Sequence, residues 1–264
     1  MQRTRQEAQD GLLPEQREQL ILDRLRAQGR VLAATLAEEL KTSEHTVRRH
    51  LRDLADQGLC KRVYGGALLV SPAGSSPALR MHEAVDRKAR LAAAAAAIVR
   101  AGQVILLDAG STNSAIAEAL PEHANLTVVT NSPDACSRLL DRPGIEVILI
   151  GGRIAPGSGG SLGATALLQI QQIKADLCFL GACAFDPIEG VAAFGAEDAE
   201  LKRAMVQASG QVAIAVTSEK LMTAAPFMVA DATSVDQLFV EADVPAERLA
   251  QLEAVCDNVT VVRS

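Results

Sequence analysis

The stretch Asp108-Ala109-Gly110-Ser111-Thr112-Asn113 closes an aliphatic run and opens a helical pattern. At such a junction free backbone N–H groups and small hydroxyls point toward an anion. Gly110 brings the backbone close to a ligand, and Ser111 and Thr112 offer hydroxyls. Three further polar stretches also follow aliphatic runs: Thr130-Asn131-Ser132, Gly151-Gly152-Arg153, and Gly181 with the loop after it. Arg153 can grip a carboxylate or phosphate. Lys220 lies just past another aliphatic run, and Lys202 lies on a helix in the pattern Glu197-x-x-Glu200-x-Lys202. Open α/β sheets bind ligands at the carboxyl ends of their strands, so these residues are expected to surround a small anionic molecule. The five cysteines, Cys60, Cys136, Cys178, Cys183 and Cys256, are scattered, with no CxxC or Cys/His ligand spacing. They read as reduced thiols; no metal, cofactor or catalytic group is expected.

A second chemistry stands near the N-terminus. Val47, Leu51 and Leu54 recur at helical spacing and mark a buried face, while Arg48, Arg49 and Arg52 occupy the other face. Ser43 is a cap-type residue before this helix. A basic helix preceded by a tight turn fits a DNA major groove. Ser43, His45, Thr46 and Arg49 are the expected base readers. Arg48, Arg52, Lys61 and Arg62 are expected on phosphates, with Tyr64 beside them in a hairpin bent at Gly65-Gly66.

The elements that must position these groups follow from periodicity and punctuation. Pro14 opens a helix that Gly29 ends; a second is expected over 32–40, a third over 44–57, and a β-hairpin over 59–70. Residues 1–12 read as a disordered polar tail, 13–70 as a winged helix-turn-helix, and 71–78 (SPAGSSPA) as a linker. Residues 79–264 then alternate between helical patterns (86–100, 114–120, 133–140, 164–173, 196–209) and aliphatic strands (104–108, 126–130, 146–150, 177–181, 211–216, 237–240, 258–262). That alternation predicts an α/β fold: a doubly wound, mainly parallel sheet. With 48% hydrophobic but only 2% aromatic residues, its core must be aliphatic. The net charge of −6 hides a split: residues 1–70 carry +2 and the remainder −8. The first part can therefore approach DNA while the rest keeps the chain soluble. No run is apolar enough for a membrane span, and a cytoplasmic location is expected.

The motifs resemble the DeoR-type transcriptional regulators. Leu36-Ala37, Ser43, Thr46, Val47, Arg48, Arg49, Leu51, Leu54, Gly58, Arg62 and Gly65-Gly66-Ala67 match that helix-turn-helix in order; His50 stands where the family usually has Asp, and Tyr64 where it has His. LDAGSTN, VVTNS, FLGA, EDAELKRAM and TSEKL match segments of the family's sensor domain, whose fold is related to the sugar-phosphate isomerases. The resemblance implies a phosphate held by the loop of Gly110 to Asn113, with Asn131, Ser132, Lys202 and Lys220 around the sugar. It implies a homo-oligomeric repressor of a carbohydrate operon that binds double-stranded operator DNA and is relieved by a phosphorylated sugar or polyol. Cys183-Ala184 and Val216 depart from the family pattern, so the effector is expected to differ from the common ones. The alternatives are a sugar-phosphate isomerase, with Asp108 and Glu200 as acid–base candidates, and a constitutive DNA binder indifferent to metabolites.

Overall fold

The computed structural model describes residues 13–74 and 76–263. The expected tail at 1–12 lies outside them. The chain forms two compact units: one of residues up to Ser71 together with Met222–Ala225, the other of Pro72–Leu221 and Pro226–Ser264.

In the first unit, α1 (Pro14–Gln28) begins with Pro at its first turn and ends at Gly29, whose φ of 76° suits a residue without Cβ. Then come β1 (Arg30–Leu32), α2 (Ala33–Glu39), α3 (Glu44–Asp56), β2 (Cys60–Val63) and β3 (Gly66–Val70). Ile21, Leu25, Val31, Leu36, Val47, Leu51 and Leu54 pack into its core. The start of the second helix is corrected: Arg30–Leu32 is a strand, paired antiparallel to β3 with Val31 opposite Ala67. Its partner lies more than thirty residues away, so local periodicity does not register it. The wing glycines have a structural reason. Gly65 has φ 79°, and a Cβ on Gly66 would meet the Val31 carbonyl oxygen at 1.9 Å.

The second unit opens within the expected linker. Ser76 accepts a hydrogen bond from the Leu79 amide and Pro77 occupies the first helical position, so Ser-Pro here caps α4 (Pro77–His82) rather than interrupting structure. The following helix, α5, covers Val85–Ala96. The central sheet has seven strands, all pairing parallel: β4 (Val104–Leu107), β5 (Leu126–Thr130), β6 (Ile145–Leu149), β9 (Leu177–Phe179), β12 (Val212–Ala215), β15 (Gln237–Glu241) and β16 (Asn258–Val262). Their order is β16-β15-β12-β9-β4-β5-β6. From β4 the chain winds one way through β5 and β6; from β9 it winds the other way. The order therefore reverses between β4 and β9, and a crevice opens at their carboxyl ends. Leu107, Ile116, Val128, Phe179 and Phe239 are among the side chains that fill the core on one face.

Helices α6 (Ser111–Ala119), α7 (Pro133–Leu139), α8 (Ala164–Gln171), α9 (Ala196–Gln207) and α10 (Ala246–Glu253) connect or flank the strands. Two small antiparallel sheets lay outside the sequence reading: the β7–β8 hairpin (Arg153–Ile154 with Ser161–Leu162), and β10 (Ala184–Asp186), β11 (Gly190–Ala193) and β14 (Phe227–Ala230). Among the described residues, no helix is long and apolar enough to cross a membrane.

Candidate nucleic-acid interface and ligand cavity

In the first unit Ser43 caps α3, accepting from the Thr46 amide at 3.1 Å, and its hydroxyl lies 3.0 Å from that of Thr46. The cap fixes where the helix starts and hence which residues share a face. Ser43, His45, Arg48, Arg49 and Arg52 are exposed, and Thr46 is half-buried. Arg48 pairs with Glu44 one turn earlier at 2.8 Å, but both side chains are about half exposed. Such a pair is worth a few tenths of a kcal/mol and yields readily to a phosphate. Arg49 and Arg52 form no ion pair with another described residue. In the wing Arg62 is exposed and Tyr64 stands fully in solvent between β2 and β3.

One residue behaves differently from the sequence reading. Lys61, expected on phosphate, is half-buried and donates from Nζ to the Ala225 carbonyl at 2.9 Å. His50 lies on the buried side of α3 with Val47, Leu51 and Leu54. It is 2% exposed, and its Nδ1 lies 3.0 Å from Glu18 Oε1, joining α3 to α1 through the core. Glu18, His50 and Asp53 bring three ligand atoms within 4.8 Å of one another and could hold a divalent ion. The Glu18–His50 hydrogen bond accounts for their approach without one.

In the second unit, a cavity of about 470 Å³ lies at the β4–β9 crevice. Its floor is a knot of buried charge. Asp108 is fully buried; its Oδ1 accepts from the Ala109 amide and its Oδ2 from the Gly181 amide, both at 2.8 Å, and Oδ2 also pairs with Lys202 Nζ. Lys202 donates as well to the Gly181 carbonyl at 2.9 Å and lies 3.7 Å from Asp198 Oδ1. Burial works against the Lys202 ammonium, but Asp108 and then Asp198 outweigh it, and its pKa is raised. Burial pushes Asp198 up, against the pull of Lys202. Gly181 is required here. A Cβ would lie 2.7 Å from Asp108 Oδ2, 3.0 Å from the Ala109 carbonyl and 3.2 Å from Lys202 Nζ. Gly110, by contrast, has extended backbone and open space where a Cβ would go.

Gly110, Ser111, Thr112, Asn113, Gly181, Lys202 and Lys220 line the cavity. Thr112 is buried and its hydroxyl finds no partner among the described residues. Burial lowers the Lys220 pKa, and its Nζ donates to the Ala182 carbonyl at 3.4 Å. Asn113 also serves structure, donating to the Asp108 and Phe179 carbonyls at 2.9 Å each.

The remaining expected ligand residues do not line this cavity. Asp108 lies beneath it. Thr130 donates to the Leu107 carbonyl, the Asn131 Oδ1 accepts from the Ala109 amide and Ser132 caps α7, while the buried Asn131 Nδ2 has no partner among the described residues. Gly152 packs against the Leu162 carbonyl, and Arg153 is exposed and pairs with Glu197. Sequence reasoning did not identify Arg80, the loop of Ala155, Gly157 and Ser158, or Phe194 as wall residues. Arg80 donates to the Ala73 and Gly157 carbonyls at 3.1 and 3.2 Å, tying α4 to that loop. A lone Arg after an apparent linker carries no signal that it folds back.

Comparison with known proteins agrees with this two-part arrangement. The family described as the DeoR C terminal sensor domain matches residues 83–242, and the DeoR-like helix-turn-helix domain matches residues 17–73. A putative aga operon transcriptional repressor of Escherichia coli O157:H7 is 30% identical, covering 94% of this chain and 93% of its own. The glycerol-3-phosphate regulon repressor of E. coli K12 is 31% identical, covering 87% and 92%. Among solved structures, ribose 5-phosphate isomerase A of Methanocaldococcus jannaschii is 16% identical, with a TM-score of 0.38 over 52% of this chain and 54% of its own.

Proposed function

The chain belongs to the DeoR family of transcriptional regulators, and from that premise we propose that it represses a carbohydrate operon and is released from DNA by a phosphorylated sugar or polyol bound in the β4–β9 cavity. The observation that carries the effector half is the Thr112 hydroxyl, buried at the first turn of α6 with no partner among the described residues, in a cavity that also holds Lys220. A buried donor without a partner is a place for a ligand atom. The N-terminus of α6 adds free amides and a positive dipole end. Arg80 and Lys220 supply cationic charge for a phosphate, and the exposed Arg49 and Arg52 of α3 supply the DNA-facing chemistry.

Neither acid that the sequence offers as an acid–base candidate, Asp108 or Glu200, is presented free to the cavity, although Glu197 and Asp198 line it. General acid–base chemistry needs a carboxylate with a lone pair free for the substrate. Both oxygens of Asp108 are engaged by Ala109, Gly181 and Lys202, and Glu200 is exposed outside the cavity. Release requires that the effector prefer a state with weaker DNA affinity. A symmetric oligomer reading paired half-sites fits this role.

The test is a thermal-shift screen of sugar and polyol phosphates beside their unphosphorylated counterparts, followed by gel shifts on the upstream DNA. A fitting ligand at a hundred times its Kd adds about 2.7 kcal/mol of stability. Lys220→Met and Thr112→Val are expected to weaken it, about tenfold or more for the charged contact. Equal response to the unphosphorylated compounds, or unaltered affinity in both variants, refutes the site. Turnover of a hit would instead establish an enzyme.

A further inference from the structure

We infer that Met222–Ala225, which follows the cavity lysine Lys220 by one residue, is a working part of the DNA-reading unit: it sets the pose of the wing and is the lever through which a bound anion alters DNA affinity. The lever half rests on the function proposed above; the positioning half stands on the geometry of the first unit alone.

That geometry is specific. Thr223–Ala224 forms β13, which pairs parallel with β3, Thr223 opposite Leu69 and Ala224 opposite Val70. The Ser71 amide donates to the Ala224 carbonyl at 3.0 Å, and Lys61 Nζ donates to the Ala225 carbonyl at 2.9 Å. All four residues from Met222 to Ala225 are buried. The first unit is shaped to receive them. A Cβ on Gly29 would lie 2.6 Å from both the Met222 Cβ and its carbonyl oxygen, so the turn between α1 and β1 leaves room that only glycine leaves. Met222 itself adopts a left-handed φ of 56°, which a non-glycine residue holds only when its surroundings fix it.

The consequence for DNA lies in which strand is grafted. β3 is the common partner of β1 and β2, and β2 leads to Tyr64 at the tip. A residue lost from β13 loosens the strand on which the hairpin is built and frees Lys61 from the carbonyl that fixes its stem. The chain path supplies the coupling. From the end of β12 the chain passes through a short 3₁₀ turn, Ser218–Lys220, then Leu221, and enters β13. Extended chain reaches at most about 3.5 Å per residue, so the two residues between Lys220 and Thr223 absorb little movement. An anion that repositions Lys220 therefore acts on β13. By linkage, DNA binding must alter anion affinity by the same factor.

The experiment uses the full chain in two variants: Thr223→Gly with Ala224→Gly, and an insertion of two glycines between Leu221 and Met222. Hydrogen exchange and binding to a short duplex are measured with and without inorganic phosphate. In the double-glycine variant, exchange at Ser71 is expected to quicken on the order of tenfold, the worth of one net hydrogen bond. Duplex affinity falls, and its salt slope drops by about 1 as the wing loses a phosphate contact. Wild-type exchange and affinity in that variant overturn the positioning role. The insertion keeps both the strand and Lys220 but adds slack, and it serves if the first variant fails to fold. In the wild type, phosphate should slow exchange in 110–113 and 218–221 and alter it in 69–71; in the insertion variant only the first effect should survive. Protection of the cavity segments with no change at 69–71 in the wild type overturns the lever and leaves the effector site standing. No protection anywhere refutes the anion site and the lever together, while the DNA arm still decides the positioning role.

Discussion

Substituting Gly181→Ala tests whether the buried knot under the cavity is as tight as its distances say. The new methyl would meet Asp108 Oδ2 at 2.7 Å and the Ala109 carbonyl at 3.0 Å. Ordinary carbon–oxygen contact begins near 3.4 Å, so the first overlap exceeds half an ångström, and the atoms it strikes are backbone and a carboxylate already held from three sides. Overpacking of this kind costs about 1–3 kcal/mol. Moving the end of β9 to relieve it stretches the Gly181 amide from a charged acceptor, a bond worth about 1.5–3 kcal/mol. The two do not add fully, since relief of one is loss of the other. The expected loss is about 2–4 kcal/mol, roughly 5–15 °C in the melting of the sensor unit at 2–4 °C per kcal/mol. Calorimetry checks it, with Gly110→Ala as the control: there the backbone is extended and the Cβ meets nothing, so stability should change by under about 0.5 kcal/mol. Gly181→Ala melting within about a degree of the wild type would mean that the Asp108–Lys202 pair has room to move and that the knot does not shape the cavity floor.

Three further outcomes follow from the same geometry. Arg49→Ala removes an exposed guanidinium that makes no ion pair with another described residue and should weaken specific DNA binding by about 1–3 kcal/mol in a gel-shift titration, with no change in melting temperature. The Arg87 guanidinium bonds Glu241 and holds its carboxyl below the usual range against the opposing effect of burial; Glu219 is lowered too, against burial, by a backbone amide, Thr217 and then Arg87. Their stability contribution is present above the ordinary carboxylate pKa and is lost as pH falls through the depressed one. Arg87→Met should therefore cost about 1–2 kcal/mol at pH 7, discounted for the partial exposure of Arg87 and Glu219, and converge with the wild type toward pH 3 in urea titrations. A constant difference across that range rejects the assignment. Gly66→Ala places a methyl 1.9 Å from the Val31 carbonyl, so β1 and β3 must separate; DNA binding should be lost in gel shifts while the sensor unit melts as before.

What the sequence made legible was whatever local spacing encodes. The α3 face is readable because Val47, Leu51 and Leu54 repeat at the helical period, and the parallel strands because each is a short aliphatic run between helical patterns. Residues whose partners are distant in the chain were misread. Asn131 and Thr130 look like ligands because they are polar and follow a strand, yet the Asn131 Oδ1 accepts from Ala109, just past β4, and Thr130 donates to Leu107 at the end of β4. A polar side chain at a strand end has two uses, and only the fold decides between them. Gly65-Gly66 reads as a hairpin bend, but Gly66 also answers to the Val31 carbonyl; Gly181, read as a ligand contact, answers first to Asp108. Two-residue strands such as β13 carry no periodic signal at all. Such a segment is invisible to local spacing, because its identity as a strand comes wholly from its pairing with β3.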